Sequence, residues 1–320
     1  MQSLVVIWCQ EKIIMLSIIK QRKIWYTISI ALAVGGLIAI ALFGLKLGID
    51  FQGGSLLEIE FNQAVKRPTP DVITQALTTL QLNSAVAQPV GESGMIIRFP
   101  SVDEKTHQQV LDTINHLYDD QKLTSPAVEE KQFVSVGSSI GQELKTKTIW
   151  AIVIVLVAII IYIAWAFRKV AKPVASWKYG VIASAALFHD VIITVGAFAL
   201  LGKLYGTEIN APFVAAVLTV LGYSVNDTIV VFDRTRENLT KNPGVDFAGV
   251  VQKSIDEVIV RSINTSTTAL LALFAILLLG GNSVRDFVLA LIIGIIAGTY
   301  SSIFLASPLL VTWEKLQSKK

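Results

Sequence analysis

APFVAAVLTVLGYSVNDTIVVF, residues 211–232, is apolar and long enough to cross a bilayer, yet it carries a carboxylate at Asp227. A spanning helix needs roughly 17–25 residues, and a charge near its middle costs roughly 2.5–3.5 kcal/mol on insertion scales. Asp227 must therefore be neutral, paired or wet, and it is read as a functional residue by default. Five further stretches have similar length and character: residues 24–45, 149–167, 179–201, 258–279 and 287–310. Two of these hold Asp190 and Arg261. Three helices, each with an ionisable group, make the pattern of a proton or ion path.

A composition of 53% hydrophobic and 16% charged residues over 320 positions excludes an ordinary soluble globular chain. The chain divides into an N-terminal segment (1–23), a first transmembrane helix (24–45), a polar region (46–147), transmembrane helices two to six (148–313) and a tail (314–320). Lys and Arg set the orientation, because short cytoplasmic loops retain positive charge. With the N-terminus inside, the inner segments hold Lys12, Lys20, Arg22 and Lys23, then Arg168, Lys169, Lys172 and Lys178, then Arg234, Arg236, Lys241 and Lys253, then Lys315, Lys319 and Lys320. The short outer loops hold only Lys203 and Arg285. Both termini are thus expected in the cytoplasm and 46–147 on the outer side. Trp25, Trp150, Trp165, Trp177, Tyr179 and Trp313 stand near span ends, as interfacial aromatics should. The net charge of +3 is topological and points to no nucleic acid. Cys9, the single cysteine, makes no metal motif. Met15, just before the basic flank of the first span, stands beside Met1 as an alternative start, which N-terminal mass spectrometry of the natural protein decides.

The polar region reads as a small α+β domain. Gly48-Ile49-Asp50-Phe51-Gln52-Gly53-Gly54 follows the first span, and such glycines imply positive φ or close backbone approach. Gly48, Asp50, Gly53 and Gly54 read either as turn chemistry beside a membrane exit or as a working hinge. Leu57, Ile59 and Phe61 alternate with polar residues as in a half-buried strand. Thr69-Pro70-Asp71 opens a helix to about residue 80, runs at 84–88 and 95–99 form a hairpin, Ser101 caps a second helix, and 127–136 makes the last strand. The order βαββαβ is the ferredoxin-like split unit. His107 and His116 lie nine residues apart, too far to share a metal, and read as a solvated helix face. No metal site, cofactor or catalytic constellation is expected.

Depth follows from the helix rise of about 1.5 Å per residue. Asp227 lies roughly 7 Å and Arg261 roughly 5 Å from the inner ends of their spans, so the two share a level and can pair. Asp190 sits nearer the midplane, within reach of Arg261 only through a water or hydroxyl. Asn264, Thr265 and Thr268 recur around Arg261 at helical spacing, Tyr223 and Asn226 accompany Asp227, and Thr194 lies one turn from Asp190. Protonation of a buried Asp would weaken its hold on Arg261 and shift one helix against another. His189 reads equally as packing or as relay. Ala290, Gly294, Gly298 and Ser302, like Ala31, Gly35 and Ala39, read as packing stripes.

These residues resemble the SecF branch of the SecD/SecF family, over nearly the full length from about Met15. The resemblance rests on Gly48 to Gly54 after the first span, Val136-Gly137 with Gly141-Gln142-Glu143-Leu144 before the second, Phe188-His189-Asp190, Gly222-Tyr223-Ser224-Val225-Asn226-Asp227-Thr228, and Arg261-Ser262-Ile263-Asn264-Thr265-Ser266. It implies a six-helix half of a resistance-nodulation-division type transporter, paired with SecD in the bacterial inner membrane. That unit would associate with the SecYEG channel and use the proton motive force to help unfolded polypeptides leave, after the ATP-driven motor SecA has pushed them. The resemblance puts Asp227 and Arg261 in the proton-responsive set, with a further acid from SecD, and Asp190 on a motif of less defined role.

Half of a small-molecule or lipid exporter would share the six helices and the buried acids, but about a hundred outer residues leave little room for a binding pocket. An intramembrane protease using Asp190 and Asp227 is disfavoured by a depth mismatch of roughly 9 Å. SecD itself should have a longer outer region. No phosphate-binding loop is present, so ATP hydrolysis by this chain is not expected.

Overall fold

The computed structural model describes residues 17–119, 123, 125–167, 175–241 and 246–318. Cys9, Lys12, the start at Met15, Asp120, the loop residues Arg168, Lys169 and Lys172, and the tail residues Lys319 and Lys320 lie outside the described residues. Two compact units are formed: Leu47–Ile149, and the described residues on either side of it.

The first unit contains α2 (Ile49–Gln52), β1 (Gly54–Phe61), α3 (Pro70–Leu77), β2 (Val86–Val90), β3 (Gly94–Phe99), α4 (Glu104–His116), β4 (Val128–Val136) and the start of α5 (Ser138–Ala166). The strands form one antiparallel sheet in the order β2-β3-β1-β4, as the split βαββαβ unit requires. Strand alternation sends Leu57, Ile59, Met95 and Ile97 to one face, where Ile73, Leu77, Val110 and Ile114 of the two helices cover them, all fully buried. Removing one such side chain loses its transfer energy and leaves a cavity. Leu57→Ala is expected to cost this unit about 2–5 kcal/mol, seen as earlier protease susceptibility on heating the full chain in membranes.

Two expectations for this unit are corrected. The N-cap of α4 is Asp103, which accepts from Thr106 N at 3.0 Å; Ser101 instead pairs its hydroxyl with Ser135 at 3.0 Å. His107 is not on a solvated face. It is buried, stacked on Phe133 with ring centroids 3.7 Å apart, and its nitrogens lie 3.1 Å from Glu104 and 3.2 Å from Glu130. The cause is register: His107 falls on the Val110–Ile114 stripe of α4, which packs on the sheet.

His116 does stay exposed, with Asp119 at 2.7 Å. The hydrogen bond and charge of that carboxylate raise the imidazole above its ordinary 6.5. The stability it lends is complete at low pH and disappears as pH rises through the raised folded value. Asp119→Asn is expected to return His116 toward 6.5, as followed by its imidazole resonances.

At the start of this unit Gly53 has φ of +78° and Gly54 has φ of +124°. A Cβ on Gly53 would lie 2.7 Å from the Ser138 Cα, and one on Gly141 would lie 3.0 Å from the Gly53 nitrogen. Both meanings of this glycine stretch, positive φ and close approach, therefore apply where it meets the first turn of α5.

The second unit holds α1 (Arg22–Phe43), the rest of α5, α6 (Ser176–Tyr205), α7 (Ala211–Lys241), α8 (Phe247–Leu279), α9 (Asn282–Ser301), a π turn (Ser302–Ala306) and α10 (Ser307–Ser318). Among the described residues, six helices are long and apolar enough to cross a membrane, the last running from α9 through the π turn into α10. The chain is a multi-pass membrane protein with a small sheet domain between its first two spans. α7 and α8 outrun the lengths expected for their spans, reaching Lys241 and starting at Phe247. α6, α7 and α9 are the most buried, whereas α1, α5 and α8 expose large apolar side chains such as Leu42, Ile161 and Leu279. Lipid offers no hydrophobic drive for helix association, so close contact through small residues matters. Gly294 and Gly298 of α9 lie against Val220 and Ser224 of α7, as the packing stripe implies. On α1 the close residue is Gly36, which meets Gly196 of α6, while Gly35 has open space beside it.

Candidate functional site: an acid cluster between spanning helices

Asp190 of α6 is fully buried. Its Oδ2 accepts from Ser224 Oγ of α7 at 2.6 Å and from Ser301 Oγ of α9 at 2.7 Å, while Oδ1 lies 3.0 Å from His189 Nδ1. One carboxylate thus joins three spanning helices. Thr194 turns away from it and donates to the Asp190 carbonyl at 2.8 Å. His189 is buried too, its Nε2 lacking a hydrogen bond among the described residues, and its ring faces Tyr300 at 6.3 Å.

The hydroxyl network continues toward the π turn. Ser224 O accepts from Thr228 Oγ1 at 3.1 Å, and Thr228 shares a 3.1 Å hydrogen bond with Ser302 Oγ. Ser302 also donates to the Gly298 carbonyl at 2.7 Å, and Ser307 Oγ donates to the Ser302 carbonyl at 2.9 Å. The π turn starts where two consecutive buried serines, 301 and 302, share the Gly298 carbonyl as acceptor while Ser301 also donates to Asp190 and Ser302 also meets Thr228. Such turns are concentrated at functional sites. A four-residue stripe through Gly298 selects Ser302 and misses Ser301, and nothing in the sequence pattern marks the π turn.

Asp227 lies one turn beyond Tyr223 on α7 and is 4% exposed. Its Oδ2 has no hydrogen-bond partner among the described residues, and the buried Ser262 of α8 is the polar side chain beside it. Tyr223 Oη donates to Ser266 Oγ at 3.3 Å, and Ser266 shares a 2.6 Å hydrogen bond with Thr299 of α9.

The expected Asp227–Arg261 pair is not formed among the described residues. Arg261 is exposed, on the same side of α8 as the exposed Asn264, Thr265 and Thr268, while Ser262 and Ser266 face the bundle. Rise alone sets the level of two residues. The 100° step per residue sets which way they face, and here it turns Ser262, not Arg261, toward α7. Thr265 donates to the Arg261 carbonyl at 2.9 Å, and Asn226 is exposed on α7. The structure therefore brings together Asp190, Ser224 and Ser301, sets Asp227 and Tyr223 against the buried face of α8, and leaves Arg261, Asn264, Thr265 and Asn226 on outer faces.

The family described as "Protein export membrane protein SecD/SecF, C-terminal" matches residues 117–316, and the SecD/SecF GG motif matches residues 38–65. The chain belongs to the SecD/SecF family. It is 42% identical over 310 residues to the protein translocase subunit SecF of Thermobaculum terrenum, covering 94% of each chain. It is 39% identical over 301 residues to that of Anaerolinea thermophila, again covering 94% of each. Among solved structures, SecDF from Thermus thermophilus superposes with a TM-score of 0.76 at 30% identity, over 93% of this chain and 38% of that longer one. The chain is thus a membrane-embedded component of protein export, and the six spans with an intervening four-stranded sheet match the architecture of that neighbour.

Proposed function

We propose that this chain is a SecF-type translocase subunit which, paired with SecD, draws on the proton motive force to assist late export of polypeptides through SecYEG after SecA has acted. It would lie in the bacterial inner membrane with both termini cytoplasmic and 46–147 outside. The observation that carries this reading is Asp227, a buried carboxyl in a spanning helix with an oxygen unmatched by any described donor. A group of that kind is held in place only for use, because an unsatisfied buried charge is costly. Asp190, by contrast, is well supplied with donors and would tie α6 to α7 and α9, so that a change at Asp227 is passed along Ser224 and Thr228 to the π turn.

Arg261 would act from the outer face of α8. A guanidinium at membrane depth is stable only against a partner or water, and the exposed row Arg261, Asn264, Thr265 and Asn226 supports a second subunit, SecD, supplying the acid there. One proton crossing 100 mV releases about 2.3 kcal/mol, against about 5.5 kcal/mol for a complete swing between states. Coupling by this site therefore needs several protons per swing or two states of nearly equal energy. The test is polypeptide translocation into vesicles containing the SecD partner at fixed ATP, with the ion gradient varied. Loss of the gradient-dependent part in Asp227→Asn and in Arg261→Met supports the reading, and full retention in both refutes it.

A further inference from the structure

Lys178 is a lysine in the first turn of α6 that is only 3% exposed. Its Nζ lies 5.6 Å from the ring centres of both Trp177 and Trp313, and those indoles meet edge to face at 5.6 Å. No carboxylate or hydrogen-bond acceptor among the described residues meets this ammonium. Cation–π contact offsets only part of the cost of desolvating a charge.

The helix end around it also lacks a side-chain cap among the described residues. Ala175 is the N-cap of α6 and supplies no side-chain acceptor, so among the described residues no side chain caps the first-turn amides at the positive end of this 30-residue helix. A helix N-terminus without a side-chain cap and a lysine 3% exposed that meets two indoles but no described hydrogen-bond acceptor call for the same thing, an anion with several acceptor oxygens. The surroundings say where it comes from. Trp177 is 56% exposed at the end of a spanning helix, as an interfacial tryptophan is. Thr312, next to Trp313, meets Tyr26 at 2.8 Å, so the start of α1, with Arg22 and Lys23, stands at the same end of the bundle.

We propose that Lys178, the N-terminal amides of α6 and the Trp177–Trp313 pair form a binding site for the phosphate of an anionic phospholipid headgroup. The ammonium and amides hold the phosphate oxygens, and the indoles pack on the glycerol and upper acyl region. Lipid recognition of this kind is separate from ion coupling, and it stands whether or not Asp227 carries that coupling.

The test uses the full chain in nanodiscs of phosphatidylcholine with a minor fraction of phosphatidylglycerol, and native mass spectrometry counts the lipids retained. Lys178→Gln is expected to lose phosphatidylglycerol retention about five-fold or more, the effect of one basic group at an anionic surface. Lys178→Arg and the control Lys203→Gln, in the last turn of α6, should keep it, and phosphatidylcholine retention should not change. A melting measurement on each variant confirms that all are folded. Retention in folded Lys178→Gln equal to the parent chain overturns the proposal. So does displacement of the bound lipid by millimolar inorganic phosphate, which would mark a site for the free ion instead.

Discussion

Vesicles carrying Asp227→Asn together with the SecD partner should translocate at the ATP-driven rate and gain nothing when a gradient is imposed. Asn keeps the volume and the hydrogen-bonding shape of Asp but cannot take or release a proton. Because the change is nearly isosteric at a site where Oδ2 has no hydrogen-bond partner among the described residues, folding and ATP-dependent translocation should survive. An effect confined to the gradient-dependent component therefore separates coupling from packing. Arg261→Met should give the same loss by a different route, since its exposed guanidinium would be met by the partner subunit. It should also weaken co-purification of that subunit, which Asp227→Asn should not.

A larger structural effect is expected at Gly298. A Cβ there would fall 2.8 Å from Ser224 Cβ and 3.1 Å from Ser224 Oγ, the hydroxyl that donates to Asp190. Gly298→Val must push α9 away from α7 or force Ser224 off Asp190. Overpacking of this type costs about 1–3 kcal/mol, and taking a donor from a buried acceptor costs about 1–3 kcal/mol more. Little assembled protein should accumulate in the membrane, and the gradient response should be absent from what remains. Ser224→Gly in the same chain should relieve the clash without restoring the hydrogen bond. The double variant should then recover accumulation but not the gradient response, a non-additivity that places the fault in the contact itself.

Period and turn chemistry carry much of this fold in the sequence. Alternation of Leu57, Ile59 and Phe61 marks β1, Thr69-Pro70 marks the start of α3, and apolar length marks the six spans found among the described residues. What escaped were features set by azimuth and by tertiary neighbours. His107 looks like part of a charged helix face until Phe133 of β4 is packed on it. Arg261 shares a level with Asp227 but faces outward, and its neighbour Ser262 takes the inner position. Ser301 joins Asp190 where the π turn begins, a change of helical register that the small-residue spacing of α9 does not encode. The acids were legible because lipid makes a charge conspicuous. The hydroxyls that serve them were not, because serine in a spanning helix is ordinary.

The most direct measurement is infrared difference spectroscopy of the carboxyl band in sealed vesicles of the complex, taken before and after the gradient is imposed. Asp227→Asn assigns the signal. The account predicts a carboxyl change that appears with the gradient, reverses when the gradient is collapsed, and is missing from Asp227→Asn while Asp190 is intact. A spectrum that does not respond to the gradient, or a response that persists unchanged in Asp227→Asn, would contradict it.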